Sequence, residues 1–121
     1  MTKAARKRAV SDDVVDGDDP MTAVFFALGD PTRLRLVRRL GRGPALSVAQ
    51  LADELPVTRQ AVSKHLRVLQ GAGLVTPTKR GREQLYVLEA GRVDDARAVL
   101  DGISAGWDRA LARLKALVED T

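Results

Sequence analysis

Asp-Pro occurs twice in the first third of this chain, at Asp19-Pro20 and Asp30-Pro31. That pair limits what the segment can become. An Asp just before a helix accepts hydrogen bonds from backbone N–H groups that have no partner within the helix. A Pro in the first helical position gives up an N–H that would be unpaired there anyway. Gly29 and Gly41 stand where the two helices would end. The spacing therefore predicts one helix over about 20–28 and another over about 31–40. The first carries Val24, Phe25, Phe26 and Leu28 and is expected to be buried on more than one side. The second places Leu34, Val37 and Leu40 on one face. Its arginines, Arg33, Arg35, Arg38 and Arg39, are read as a solvated face rather than a binding site.

The same punctuation continues. After the loop "GRGP", Ser47 and Gln50 have the spacing of a capping box, so a third helix opens there, with Val48, Leu51 and Leu55 as its apolar stripe. Pro56 stops it. Thr58 caps a fourth helix that runs to Gly71 and Gly73. Val62, Leu66 and Leu69 recur at i, i+4 and i+7 and face the core. Gln60, Lys64 and Arg67 point the opposite way, flanked by Arg59 and Ser63. Two short helices joined by a tight turn make a helix-turn-helix, whose second helix can lie in a DNA major groove.

Charge supports that reading. Residues 57–82 hold Arg59, Lys64, Arg67, Lys79, Arg80 and Arg82 and no acid. The whole chain has a net charge of +4, so the remainder is left at −2. A carboxylate on this stretch would be repelled by the phosphates of a polyanion. A solvated basic face explains the charge alone equally well; the helix-turn-helix around it does not follow from that reading.

"LVTPTKRGREQLYVL" reads as a β-hairpin over about 74–79 and 83–88, with Gly81 in the turn and Lys79, Arg80 and Arg82 crowding the tip. A basic hairpin directly after such a helix is a wing, placed to hold the DNA backbone. The last segment, about 91–119, is one long helix. Val93, Ala96, Leu100, Ile103, Trp107, Ala110, Leu114 and Leu117 alternate in steps of three and four, which is a heptad seam. A domain this small cannot cover so long a stripe, and a second copy of the chain could. Trp107 is read as a packing anchor in that seam. Gly102 and Gly106 weaken the helix locally and allow close approach.

The fold class expected is mainly α with a small β-hairpin wing: a winged helix-turn-helix of five helices with a long C-terminal dimerisation helix. The 121 residues suit one domain, 20–121, preceded by a disordered tail, 1–19, whose basic stretch "MTKAARKRAV" is read as a plain tail rather than an arm on DNA. Aromatics make up only 3%, so the core must be Leu, Val, Ala and Ile. There is no Cys, which excludes disulfides and thiolate metal sites, and His65 is the one His. No apolar run approaches the ~20 residues of a membrane span, and the N-terminus lacks the apolar stretch of a secretory signal. A cytoplasmic location and no cofactor are expected.

Over about residues 21–118 the chain resembles the ArsR/SmtB family of bacterial winged helix-turn-helix repressors. The resemblance rests on "FFALGDPTRLRLVRRL", on "VAQLADELPVTRQAVSKHLRVLQGAGLV" and on "RGREQLYVL" followed by the long helix. It implies a homodimer held by the first and last helices, with Phe25, Leu100, Ile103, Trp107, Ala110, Leu114 and Leu117 at the interface. It also implies binding to a roughly palindromic operator in double-stranded DNA, usually to repress. By position, the recognition-helix contacts would be Thr58, Arg59, Gln60, Ser63, Lys64 and His65, and the wing contacts Lys79, Arg80 and Arg82. Helix periodicity alone puts His65 at the half-buried edge of its helix; the resemblance puts it at the DNA, and that placement is preferred.

Many members of the family sense metal through thiolates on the third helix. Here "ALSVAQL" has Ser47 and Ala49 at those places, and the last helix has no His. Soft and borderline metals want thiolate or imidazole ligands, so no metal sensing is expected. The chain resembles the thiol-free branch whose last helix carries a Trp and a "RLKAL"-type tail; a small-molecule or protein effector is left open.

Two other functions compete. A winged-helix protein-interaction module without DNA binding would have no reason to keep an acid-free polar face on its fourth helix. An enzyme would need a nucleophile and a base, and Ser63 and His65, two apart on a helix, do not face each other.

Overall fold

The structure, a computed structural model, describes residues 19–120. The tail expected over 1–18 lies outside the described residues. Asp19 caps the first helix, as its Asp-Pro pair predicts. Helix α1 (Pro20–Leu28) begins with the Asp19 carboxylate accepting the Met21 N–H at 2.9 Å. Helix α2 (Pro31–Gly41) begins the same way, the Asp30 carboxylate accepting from Thr32 and Arg33 at 2.9 and 3.0 Å. A cap of this kind stabilises by about 1 kcal/mol.

In α1, Val24 and Ala27 are buried, and Met21, Phe25 and Leu28 pack at the edge of the core. Phe26 is 69% exposed. In α2 the stripe differs from the one expected. Leu36 and Leu40 are buried and Val37 is half-buried, while Leu34 is exposed. The inward row is 33, 36, 37 and 40, a regular i, i+3, i+4, i+7 series. Its first member is an arginine, so a reading that follows only apolar residues shifts to Leu34.

Strand β1 (Leu46–Ser47) leads directly into helix α3 (Val48–Glu54). The capping box forms in full. Ser47 Oγ accepts the Gln50 N–H at 3.2 Å and Gln50 Oε1 accepts the Ser47 N–H at 2.9 Å. Leu55 is extended, as the residue before Pro56 must be, and the helix ends there. Arg39 closes a two-bond pair with Glu54, Nε to Oε1 at 2.7 Å and Nη2 to Oε2 at 3.2 Å, which ties α2 to α3. That bond holds the Glu54 carboxyl below its ordinary value of 4.5 and raises the Arg39 guanidinium.

Helix α4 (Arg59–Gly71) starts at Thr58, whose hydroxyl accepts the Ala61 N–H at 3.0 Å. Val62, Leu66 and Leu69 are wholly shielded from solvent. The helix ends in a Schellman motif. Gly73 takes φ +79, its N–H donates to Gln70 C=O at 2.9 Å, and the Leu74 N–H reaches Leu69 C=O at 3.0 Å. Leu69 and Leu74, the pair that flanks the motif, are both buried.

Strands β2 (Val75–Arg80) and β3 (Glu83–Leu88) form the hairpin, with Gly81 at φ +63 in its turn. The sheet has three strands, in the order β1-β3-β2, rather than the two of the expected hairpin. Leu46 pairs with Tyr86 and Ser47 with Leu85. A strand of two residues is too short to show alternation in sequence. Helix α5 (Ala90–Glu119) is docked at its start, where the Glu89 N–H donates to Leu74 C=O at 2.8 Å, Ala96 is buried and Val93 is half-buried. It then runs on for a total of about 45 Å at 1.5 Å per residue. Among the described residues no helix is long and apolar enough to cross a membrane.

Candidate nucleic-acid interface

Helix α3, the turn 55–58 and helix α4 form the helix-turn-helix, and the hairpin β2–β3 follows as the wing. Because the apolar stripe of α4 is fixed in the core, the opposite face is presented outward. Thr58, Arg59, Gln60, Lys64 and Arg67 are exposed, and Ser63 is half-buried beside them. At the wing tip, Lys79, Arg80 and Arg82 are exposed. The first carboxylate after the basic window, Glu83, sits opposite Arg80 in the strand register. None of the six cations of α4 and the wing closes an ion pair among the described residues. Donors of this type meet base edges and phosphate oxygens. Arg67 shares this surface, although family positions alone leave it out; the helical wheel is the signal that finds it.

His65 is placed differently. It is half-buried, and its Nδ1 lies 3.4 Å from Arg33 Nη1 and 3.9 Å from Asp30 Oδ2. The guanidinium can only donate, so this contact is a hydrogen bond in the tautomer that leaves Nδ1 free to accept. The Asp30 contact is too long for a hydrogen bond and would need a proton on that same nitrogen. Of the two, the Arg33 contact sets the geometry. His65 thus packs against α2 from the half-buried edge of α4, where its wheel position put it.

Arg33 does more than touch His65. Its Nε donates to Ala27 C=O at 2.7 Å, its Nη2 reaches Phe26 C=O at 3.4 Å, and its guanidinium lies 5.5 Å over the Phe26 ring. Arg33 therefore supplies a donor to the Ala27 carbonyl in the last turn of α1 and a second one to the Phe26 carbonyl, which also accepts the Gly29 N–H at 3.1 Å. The reading of Arg33 as part of a solvated face is overturned. Asp30 beside it is held below its ordinary 3.8, first by the backbone N–H of Arg33 and further by the Arg33 charge and the backbone N–H of Thr32.

The surface expected to hold a second copy is uncovered. From Leu100 onward α5 exposes Ile103, Trp107 at 65%, Leu111, Leu114, Leu117 and Val118. Ala110 is half-buried. Phe25 packs against the chain's own core, and its neighbour Phe26 is the exposed ring of α1. A Cβ added at Gly102 would meet nothing within 4 Å. Among the described residues no group of three or more His, Asp or Glu could hold a metal ion.

Fold and surface together define a winged helix-turn-helix protein of the DNA-binding type. Residues 28–78 match the family model described as a helix-turn-helix domain. The HTH-type transcriptional regulator Rv2034 of Mycobacterium tuberculosis is 42% identical over 93 residues, covering 77% of this chain and 83% of that protein. The HTH-type transcriptional repressor SmtB of the same species is 38% identical over 91 residues, covering 74% of this chain and 65% of that protein. Among solved structures, the ArsR-like transcriptional regulator from Rhodococcus sp. RHA1 superposes with a TM-score of 0.74 at 41% identity, over 84% of this chain and 93% of that one. The chain belongs to the ArsR/SmtB family of winged helix-turn-helix transcriptional regulators, and it is a DNA-binding regulator.

Proposed function

We propose that this chain is a homodimeric repressor that binds a roughly palindromic operator. In this reading Arg59, Gln60, Ser63 and Lys64 meet base edges in the major groove. Thr58, Arg67, Lys79, Arg80 and Arg82 hold phosphates. The observation that carries it is the set of six cations on α4 and the wing without a carboxylate partner among the described residues. Dimerisation is supported by the apolar stripe of α5, where large side chains from Leu100 to Val118 stand exposed along one helix, as at a protein-interaction surface. Similarity to a protein named as a transcriptional repressor supports repression. The body from Asp19 onward then serves as one DNA-binding and dimerisation domain.

The test is a mobility-shift titration against the protein's own promoter region at rising salt, followed by footprinting. Two protected half-sites about 34 Å apart on one face of the duplex are expected. Affinity should fall log-linearly with salt, by a slope of about 0.9 per phosphate neutralised. An absence of binding at low salt, or affinity indifferent to salt, would sink the reading.

A further inference from the structure

Helix α2 and its C-cap residue Arg42 carry a second arginine row that the DNA-facing surface does not use. Arg35, Arg38, Arg39 and Arg42 stand at i, i+3, i+4 and i+7, so every neighbour along the row is a like charge. Such pairs destabilise a helix. Only Arg39 closes an ion pair, with Glu54, whose charge Arg42 also feels from further off; no carboxylate lies within ion-pair reach of Arg35, Arg38 or Arg42 among the described residues. The row rims a cavity of about 260 Å³ between α2 and α3, lined on the α3 side by Leu51, Leu55 and the Glu54 carboxylate that Arg39 holds. A solvated face would not need to be concave or to have an apolar lining. A phosphate backbone, polar and hydrated, would gain nothing from the leucines.

We propose that this cavity binds a small organic anion, a carboxylate or phosphate ester with a compact apolar part. Guanidinium groups grip such anions bidentately, and the leucine side takes the apolar body. The anion competes with the Glu54 carboxylate for Arg39. Occupancy therefore loosens the bond that ties α2 to α3, the first helix of the helix-turn-helix. That regulatory consequence rests on the DNA-binding reading; the binding itself does not.

The experiment is an amide NMR titration of the full chain, without DNA, with phenyl phosphate. Inorganic phosphate and benzyl alcohol serve as the charge-only and apolar-only probes. Shifts are expected within 35–42 and 51–55, with a dissociation constant on the order of 1 mM for phenyl phosphate and binding about tenfold weaker for each control. The Arg35→Gln, Arg38→Gln double variant should weaken phenyl phosphate by about tenfold or more. Glu54→Gln, by freeing Arg39, should tighten it. The proposal is overturned if inorganic phosphate binds as well, if the shifts appear on α4 and the wing, or if Glu54→Gln weakens binding. It is overturned equally if the double variant titrates unchanged, or if it flattens the salt dependence of DNA binding, which would make the row a phosphate clamp. Failure of DNA binding in the mobility-shift assay would leave this titration untouched.

Discussion

In α4 the apolar stripe of Val62, Leu66 and Leu69 is wholly covered by the chain's own core, whereas in α5 the stripe from Leu100 to Leu117 meets solvent. Both helices are amphipathic. The first half of the chain supplies enough Leu and Val to close over α4, so what α4 leaves outside is polar and cationic. Among the described residues nothing closes over α5 beyond Ala96, so what α5 leaves outside there is apolar. One helix offers an unpaired charge surface and the other an unpaired hydrophobic one. The partners that suit them differ in kind: a polyanion for the first, a matching protein surface for the second.

The contrast breaks most visibly in the core. Leu66→Ala removes a fully buried side chain and should cost about 2–5 kcal/mol in urea denaturation. Leu117→Ala, at a concentration where the chain is monomeric, should change stability by less than about 0.5 kcal/mol. Equal losses would erase the distinction between the two stripes.

Trp107→Asp puts a charge into the uncovered stripe and is expected to yield monomers in sedimentation velocity with the fold intact. Operator affinity should fall by roughly a hundredfold as each half-site loses its tethered partner. A dimer that survives this change places the self-association surface elsewhere.

On α4 the expected effects are smaller and differ in character. Gln60→Ala should cost about 1–3 kcal/mol of discrimination between operator and random duplex. Arg82→Ala should weaken both DNAs alike and reduce the salt slope by about 0.9. Matched losses for the two variants in parallel binding curves would remove Gln60 from base reading.

Acid should act on the body that supports α4. Asp30 and Glu54 are both held below their ordinary 3.8 and 4.5. A carboxylate whose folded value is the lower one adds stability that is present above the unfolded value and lost as pH falls through the folded one. The thermal midpoint should therefore be steady at neutral pH and begin to fall as pH drops toward and below 4.5. Asp30→Asn should flatten that acid limb, and an unchanged limb would mean the cap contributes little.

Much of this architecture can be read from residues whose role is local. Asp19, Asp30, Ser47 and Thr58 announce helix starts because each cap needs one side chain and the next few N–H groups. Gly81 announces its turn because φ +63 suits few other residues. The polar face of α4 follows from three leucine and valine positions. What escapes depends on contacts distant in sequence. Pairing of Leu46 with Tyr86 is invisible in a two-residue strand. Arg33 looks like one solvent-facing arginine among several, yet its partners at Ala27, Phe26 and His65 come from two other elements. Phe25 and Phe26 are equally apolar, and only the packing of α1 decides which is covered. The cavity beside Arg35 and Arg38 needs α3 to supply its other side.

Arg33 works as a bracket between two bodies of the molecule. One arm grips the last turn of α1, where the Phe26 ring lies under the same guanidinium, and the other touches the middle of α4. The exposed ring of Phe26 and the half-buried ring of His65 are thereby joined through one guanidinium, so the end of α1 and the middle of α4 share a single side chain.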